Sequence, residues 1–89
     1  MTVSKHIIVR GRVQGVGYRY ATRHAAEKRN ITGTVKNLPD GSVEIYATGN
    51  EQDVTSLIQW CHQGPVRARV THVTVVDLPL QSFQKFSIL

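Results

Sequence analysis

Apolar residues near the start of the chain follow two different spacings. The stretch KHIIVRGR (residues 5–12) is rich in β-branched residues and closes around a glycine, which predicts a first strand. In YRYATRHAAEKRN (residues 18–30), Tyr18, Ala21 and Ala25 recur at helical spacing, which predicts a helix of about 12 residues. The chain is therefore expected to begin with a strand, a short glycine-containing loop and a helix.

A β-hairpin is predicted after this helix, in TGTVKNLPDGSVEIYATG (residues 32–49). Its centre holds Pro39, Asp40 and Gly41, which combine a fixed φ, a turn-favouring side chain and a residue that tolerates positive φ. Residues 43–48 then alternate in the manner of a half-buried strand.

A second helix and two further strands complete the pattern. Asn50 and Asp53 resemble a capping box, and Gly64-Pro65 is expected to stop the helix. Between them the apolar positions recur at i, i+3, i+4 and i+7: Val54, Leu57, Ile58 and Cys61. RARVTHVTVVDL (67–78) predicts a long strand, and FQKFSIL (83–89) a short one. The order βαββαβ with an extra C-terminal strand predicts an α+β, ferredoxin-like sandwich, with an antiparallel sheet and both helices on one face.

Length and composition bear on the number of domains and on the sign of the ligand's charge. Eighty-nine residues suffice for one hydrophobic core, so a single domain is expected over residues 1–89. Eleven Lys and Arg against six Asp and Glu give a formal net charge of +5. This charge favours an anionic partner, although it also serves solubility alone. The basic residues form no long run, so no nucleic-acid-binding tail is expected.

The predicted location is the cytoplasm. The single Cys61 excludes an intramolecular disulfide framework and suits a reducing compartment. The apolar run Ile7, Ile8 and Val9 is far shorter than the about 7–15 residues of a signal-peptide core. No stretch approaches the roughly 20 apolar residues of a membrane span, so no membrane partner is expected.

The loop VQGVGYR (residues 13–19) is the first chemical candidate. Gly15 and Gly17 can take positive φ and let the backbone approach a ligand closely, and a helix that starts directly afterwards adds free N–H groups. Arg19 would then clamp the oxygens of a phosphate. The alternative is a tight strand-to-helix turn with a solvated arginine. The spacing matches neither the Walker motif nor a dinucleotide fingerprint, so a single phosphate group is expected.

Other sites are disfavoured by their residue patterns. The four histidines lack metal-ligand spacing with one another or with a cysteine pair, so no metal is expected: His6, His24, His62 and His72. CHQGPVR (61–67) resembles the loop of cysteine-dependent phosphatases, but Cys61 falls at the end of a helix and on its apolar face, so a core cysteine is predicted. An RNA-recognition fold shares the element order, yet its stacking aromatics are missing apart from Tyr46, which is expected to pack across strands.

Two longer stretches resemble the signature motifs of the acylphosphatase family. They are GRVQGVGYR (11–19) and GTVKNLPDGSVEIYATG (33–49), each present once and in the family's order. The predicted elements also fit that family's ferredoxin-like fold over nearly the whole chain. Tyr18 stands where the family more often has phenylalanine, and Thr34 where it usually has an aromatic residue.

This resemblance implies hydrolysis of acyl phosphates, small mixed anhydrides of a carboxylic and a phosphoric acid, without metal or cofactor. It implies that Arg19 binds the phosphoryl group and that Asn37 orients the attacking water. It further implies a phosphate-binding backbone loop formed by the amides of Gln14, Gly15, Val16, Gly17, Tyr18 and Arg19. A monomer that binds neither nucleic acid nor membrane is expected.

The residues themselves are compatible with this chemistry. Neither Arg19 nor Asn37 serves readily as an acid or a base near pH 7, so the site suits a leaving group that needs no proton. A carboxylate is such a group, and a loose phosphoryl-transfer transition state needs positioning and charge stabilisation above all. Asn37 has an amide oxygen that can accept a hydrogen bond from water and an NH₂ group that can donate one. Its alternative role is that of a turn residue.

Overall fold

Five strands and two helices make up the protein, which this computed structural model describes over residues 1–89. In chain order they are β1 (Thr2–Arg12), α1 (Tyr18–Lys28), β2 (Thr32–Asn37), β3 (Val43–Asn50), α2 (Glu51–Cys61), β4 (Arg69–Leu78) and β5 (Phe86–Ile88). The predicted order is confirmed, including the extra strand at the end.

The strands form one sheet in the order β4-β1-β3-β2-β5. The first four are antiparallel to their neighbours, as predicted, whereas the added β5 pairs in parallel with β2. Both helices pack on the sheet and contact each other, α1 over β2 and β5 and α2 over β1 and β3. The core lies between the sheet and the helices. Its fully buried residues include Ile7 of β1, Ile45 of β3, and Val54 and Leu57 of α2. Neither helix has the length and apolar content that a membrane-spanning helix needs.

The strand register brings two distant segments to one end of the sheet. Val43, the first residue of β3, lies opposite Val9 on one side and opposite Asn37 on the other. Asn37 therefore ends β2 at the level where β1 leaves its pairing with β3. The loop that follows β1 starts beside the β2–β3 turn, so the two motifs of the sequence meet there.

The ends of α2 show how far local signals predict a boundary. Asn50 caps the helix, as expected, and its side chain accepts a hydrogen bond of 3.0 Å from the N–H of Gln52. The donor is Gln52 and not Asp53, and Asp53 accepts no hydrogen bond from Asn50, so the helix has an N-cap without the reciprocal capping box. The helix ends at Cys61, three residues before Gly64, where φ is +64°.

A buried hydrogen bond joins the start of α1 to the end of α2. The Tyr18 hydroxyl donates to the carbonyl oxygen of Cys61 at 2.7 Å, and Tyr18 is 1% exposed. Burial is the main reason that the pKa of the Tyr18 hydroxyl lies above its ordinary value. A phenylalanine at this position would lack the hydroxyl. In this chain the hydroxyl has a definite partner, the carbonyl oxygen of Cys61.

We expect Tyr18→Phe to lower the free energy of unfolding by about 1–2 kcal/mol, because it leaves a buried carbonyl oxygen without its donor. Tyr20→Phe is the matched control, since Tyr20 is 65% exposed and its change should stay within about 0.5 kcal/mol. Urea unfolding at pH 7 measures both. Equal stability of the two variants would show that the hydrogen bond to Cys61 contributes nothing.

Candidate active site

Two left-handed glycines shape the turn from β1 into α1. Gly15 has φ +73°, and Gly17, the residue that caps α1, has φ +81° and ψ 17°. No atom lies within 4 Å of where a Cβ would stand at either position. Glycine is therefore required here by the backbone conformation, and the space around it stays open.

The backbone N–H groups of this turn are not used by the fold. None of those from Gln14 to Tyr20 donates a hydrogen bond to another group of the protein. Ala21 is the first residue of α1 whose N–H is bonded, at 3.0 Å from the carbonyl oxygen of Gly17. No side chain caps the helix, so free donors and the positive end of the helix dipole meet at one place. Such an arrangement of donors favours the binding of an anion.

Arg19 adds a full positive charge beside these donors. Its side chain is half-buried, and Nη1 donates to the carbonyl oxygen of Leu89 at 3.2 Å. No carboxylate forms an ion pair with it. Arg19 makes no other hydrogen bond within the protein, so its remaining N–H groups are left for an external anion.

Asn37, the last residue of β2, lies beside this turn and Arg19. Its Oδ1 is buried and accepts no hydrogen bond, and its Nδ2 donates none within the protein. A buried acceptor without a partner costs about 1–3 kcal/mol, so such groups are rare in the absence of a functional reason. No hydrogen bond within the protein fixes the amide, so either its acceptor or its donor end can serve a ligand.

A small cavity of about 140 Å³ joins these groups. It is lined by Val13, Gly15, Gly17, Tyr18, Arg19, Tyr20 and Asn37. The two residues predicted to be catalytic are thus brought together, although they are 18 positions apart in the sequence. The lining contains no carboxylate, imidazole or thiol. The site therefore offers hydrogen-bond donors and one charge, but no ordinary general acid or base.

A side chain that the sequence analysis did not single out connects the two motifs. Gln14 was expected to contribute only its backbone amide. Its Nε2 donates to the carbonyl oxygens of Leu38 and Ser42, at 2.8 and 2.9 Å. One amide group thereby ties the glycine loop to both sides of the turn that follows Asn37. A glutamine next to a glycine loop gives no local signal of such a distant contact.

The β2–β3 turn has its own internal hydrogen bonds. Asp40 Oδ1 accepts from the backbone N–H of Ser42 at 2.9 Å and from the Ser42 hydroxyl, while its Oδ2 accepts from Arg10 at 3.1 Å. The bonds from Ser42, with a smaller effect of Arg10, lower the pKa of Asp40 to about 2. Asp40 thus closes the turn and links it to β1.

Cys61 and Tyr46, which the sequence patterns disfavoured as functional residues, both have packing roles. Cys61 is fully buried in the core, as predicted, and burial raises the pKa of its thiol to about 12, which makes it a poor nucleophile. Tyr46 lies opposite His6 on the neighbouring strand with ring centroids 4.8 Å apart, which confirms its cross-strand packing. No group of three or more metal-ligating side chains is present in residues 1–89.

The fold and the site together define an α+β sandwich with an anion-binding loop at a helix N-terminus. The acylphosphatase family model matches residues 5–88. An acylphosphatase of Marinobacter nauticus is 47% identical over 88 residues, covering 97% of this chain and 96% of that protein.

Solved structures agree with the sequence comparison. An acylphosphatase from Bacillus subtilis has a TM-score of 0.95 and 41% identity, covering 100% of this chain and 99% of that one. An acylphosphatase from Coxiella burnetii has a TM-score of 0.96 and 34% identity, covering 99% of this chain and 93% of that one. The chain belongs to the acylphosphatase family. The predicted enzyme class, which hydrolyses acyl phosphates, and the predicted fold class are confirmed.

We expect Gln14→Glu to lower kcat/KM for an acyl phosphate by at least about tenfold, because a misplacement of about 1 Å at a reacting centre can cost about 10²-fold. The substitution keeps the shape of Gln14 but points an oxygen at two carbonyl oxygens. Steady-state kinetics measure the effect. Gln63→Glu makes the same charge change at an exposed position and is the control. A loss of equal size in both variants would mean that added charge, and not the tie to the turn, is responsible.

The lowered pKa of Asp40 predicts a loss of stability in acid. In the folded protein the pKa of this carboxyl group is about 2, whereas its ordinary value is 3.8. The ionised group therefore contributes to the free energy of unfolding above about pH 4, and this contribution is lost as the pH falls to about 2. Asp40→Asn removes this contribution. The difference in Tm between wild type and Asp40→Asn should therefore shrink from pH 5 to pH 2. A constant difference across that range would contradict the prediction.

Proposed function

We propose that residues 1–89 act as a single domain that hydrolyses the carboxyl–phosphate bond by in-line attack of water on phosphorus. Arg19 clamps the phosphoryl group and Asn37 orients the water. The backbone amides that complete the cradle are those of Gln14, Gly15, Val16, Gly17, Tyr18 and Arg19. The observation that carries this proposal is the set of unused N–H groups, which shares one cavity with Arg19 and Asn37.

Charge stabilisation is the main task of the cradle. In phosphoryl transfer, negative charge is spread over the three equatorial oxygens of a loose transition state. Fixed backbone donors and one guanidinium match such a planar, charged group from several directions. Because the N–H groups are already oriented and unpaired, they need no rearrangement when the charge develops.

The leaving group explains why the cavity needs no acid. A carboxylate leaves with the electron pair of the P–O bond and needs no proton, since carboxylic acids have a pKa of about 4. An alkoxide from an ordinary phosphate ester would need one, and no side chain of the cavity supplies it. The composition of the site thus favours acyl phosphates over phosphate esters.

Asn37 has the two functions that a water guide needs. Its Nδ2 donates a hydrogen bond to an oxygen, and because no hydrogen bond holds the amide, Oδ1 can turn to accept a hydrogen bond from the water. The water oxygen forms the new bond to phosphorus as the bond to the acyl oxygen breaks. The proton of the water passes to an oxygen of the phosphoryl group itself, and the products are a carboxylate and inorganic phosphate. No phosphoenzyme forms, because the cavity lining has no carboxylate, imidazole, thiol, serine or threonine, and the only thiol, Cys61, is buried in the core.

The same cradle is proposed to hold the product, inorganic phosphate, which would then compete with substrate. These steps use protein groups and water only, with no cofactor or metal. The cytoplasmic location, the monomeric state and the lack of a nucleic-acid or membrane partner stay predictions from the sequence.

We expect Arg19→Ala to lower kcat/KM by about 10²–10³-fold, the usual effect of removing one donor to a charged transition state. The measurement is hydrolysis of benzoyl phosphate, followed by its ultraviolet absorbance with a chelator present. Arg67→Ala is the control, because Arg67 is an exposed arginine outside the cavity and its loss should change the rate by no more than about twofold. If both variants lose activity equally, the role of Arg19 is only that of general positive charge.

Asn37→Ala separates water orientation from binding. If Asn37 guides the water, kcat should fall by at least about 10²-fold while phosphate still inhibits at the wild-type concentration. If kcat stays unchanged, Asn37 only holds the turn and the proposal for this residue is wrong.

A further inference from the structure

The phosphoryl cavity is small for an acyl phosphate that carries a large acyl group. Its volume of about 140 Å³ lies well below the 300–1,000 Å³ of a typical ligand pocket. If the phosphoryl group and the attacking water fill it, as the proposed function requires, the acyl group must lie at its rim. The chain residues at that rim then decide which acyl groups bind well.

In-line attack fixes the direction in which the acyl group leaves. The leaving oxygen stands opposite the attacking water, so the acyl group cannot occupy the place that the water takes at Asn37. Of the other lining residues, Val13 and Tyr18 are buried, Arg19 binds the phosphoryl group, and the two glycines have no side chain. Tyr20 is the one that presents an exposed side chain, at 65% of its surface.

The Tyr20 ring is also held in a defined position. The Cζ atom of Arg23, one helical turn further along α1, lies 5.5 Å from the centre of the ring. This is within the about 6 Å of a cation–π contact. The guanidinium covers one side of the ring, and the exposed remainder is left as an apolar surface beside the cavity. An exposed aromatic ring that is already ordered binds a flat group with little loss of rotamer freedom.

We propose that Tyr20 is a specificity-determining residue, which binds the acyl group and favours acyl phosphates whose acyl group is flat and apolar, such as an aromatic one. Flat groups stack on an aromatic face, whereas a small aliphatic group such as acetyl covers little of the ring. The inference rests on the proposed function, because the acyl group is placed relative to a phosphoryl group bound by Arg19. Arg23 is a positioning residue for the ring.

The test compares benzoyl phosphate with acetyl phosphate in the full-length protein. In Tyr20→Ala, kcat/KM for benzoyl phosphate should fall about five- to tenfold, mostly through KM, and that for acetyl phosphate by no more than about twofold. Tyr20→Phe keeps the ring and should keep the wild-type preference. Arg23→Gln should lower the preference by a smaller factor than Tyr20→Ala. His24→Ala, an exposed change on the same helix, is the control for effects on α1 itself.

Two results would overturn this inference. Equal losses on both substrates in Tyr20→Ala would mean that Tyr20 acts through Arg19 or the helix, and unchanged values on both would place the acyl group elsewhere. Binding of phenylphosphonate and of inorganic phosphate, measured by calorimetry, gives a readout without turnover: Tyr20→Ala should weaken only the former. A wild-type protein that hydrolyses neither substrate would instead contradict the proposed function, and the calorimetry would still decide whether Tyr20 binds the aromatic group.

Discussion

The positive φ of Gly15 and Gly17 is the constraint on which the site depends. An L-residue with a side chain is strained in that conformation, whereas glycine adopts it readily. In the turn it allows, the backbone N–H groups from Gln14 to Tyr20 donate to no group of the protein. The unpaired donors are thus a direct result of the local chain conformation. The strand register then places Asn37 beside them, and Gln14 holds the loop and the turn at a fixed distance.

The site leaves several polar groups without partners. Asn37 Oδ1 is buried without a donor, Arg19 has no counter-ion, and the loop amides are free. The buried Asn37 oxygen lowers the stability of the folded protein by about 1–3 kcal/mol. The surrounding structure offsets this with local bonds. Tyr18 links the two helices through Cys61, and Asp40 closes the turn next to Asn37. A site of fixed donors needs such support, because donors that must rearrange lose their advantage in the transition state.

The fold was largely predictable from the sequence because its elements have strong local signals. The apolar face of α2 and the Pro39-Asp40-Gly41 turn both appear where the patterns place them. β1 extends further towards the start of the chain than its β-branched run, since pairing with β3 and β4 adds polar residues such as Ser4 to the strand. The parallel pairing of β5 with β2 had no local signal, because a short strand can join either side of a sheet.

The site divides in the same way into local and long-range parts. The glycine spacing predicted the strand-to-helix turn at Gly15 and Gly17, and the acylphosphatase motifs pointed to Arg19 and Asn37. The side-chain bonds of Gln14, the partner of the Tyr18 hydroxyl and the contact of Arg19 with Leu89 join residues at least 24 positions apart. No spacing rule covers such pairs, since they arise from sheet register and helix packing.

Tyr20 shows why exposure has to be known before a residue can be assigned to a site. In the sequence it is one of three tyrosines, and its position directly after Arg19 gives no signal of a separate role. A helix turns by about 100° per residue, so Tyr18, Arg19 and Tyr20 point in three different directions. Tyr18 is directed into the core, Arg19 is bonded to Leu89, and Tyr20 is left exposed at the cavity. In the proposed function, one turn of helix thus serves packing, phosphoryl binding and contact with the rest of the substrate, and this division of roles follows from the helical period.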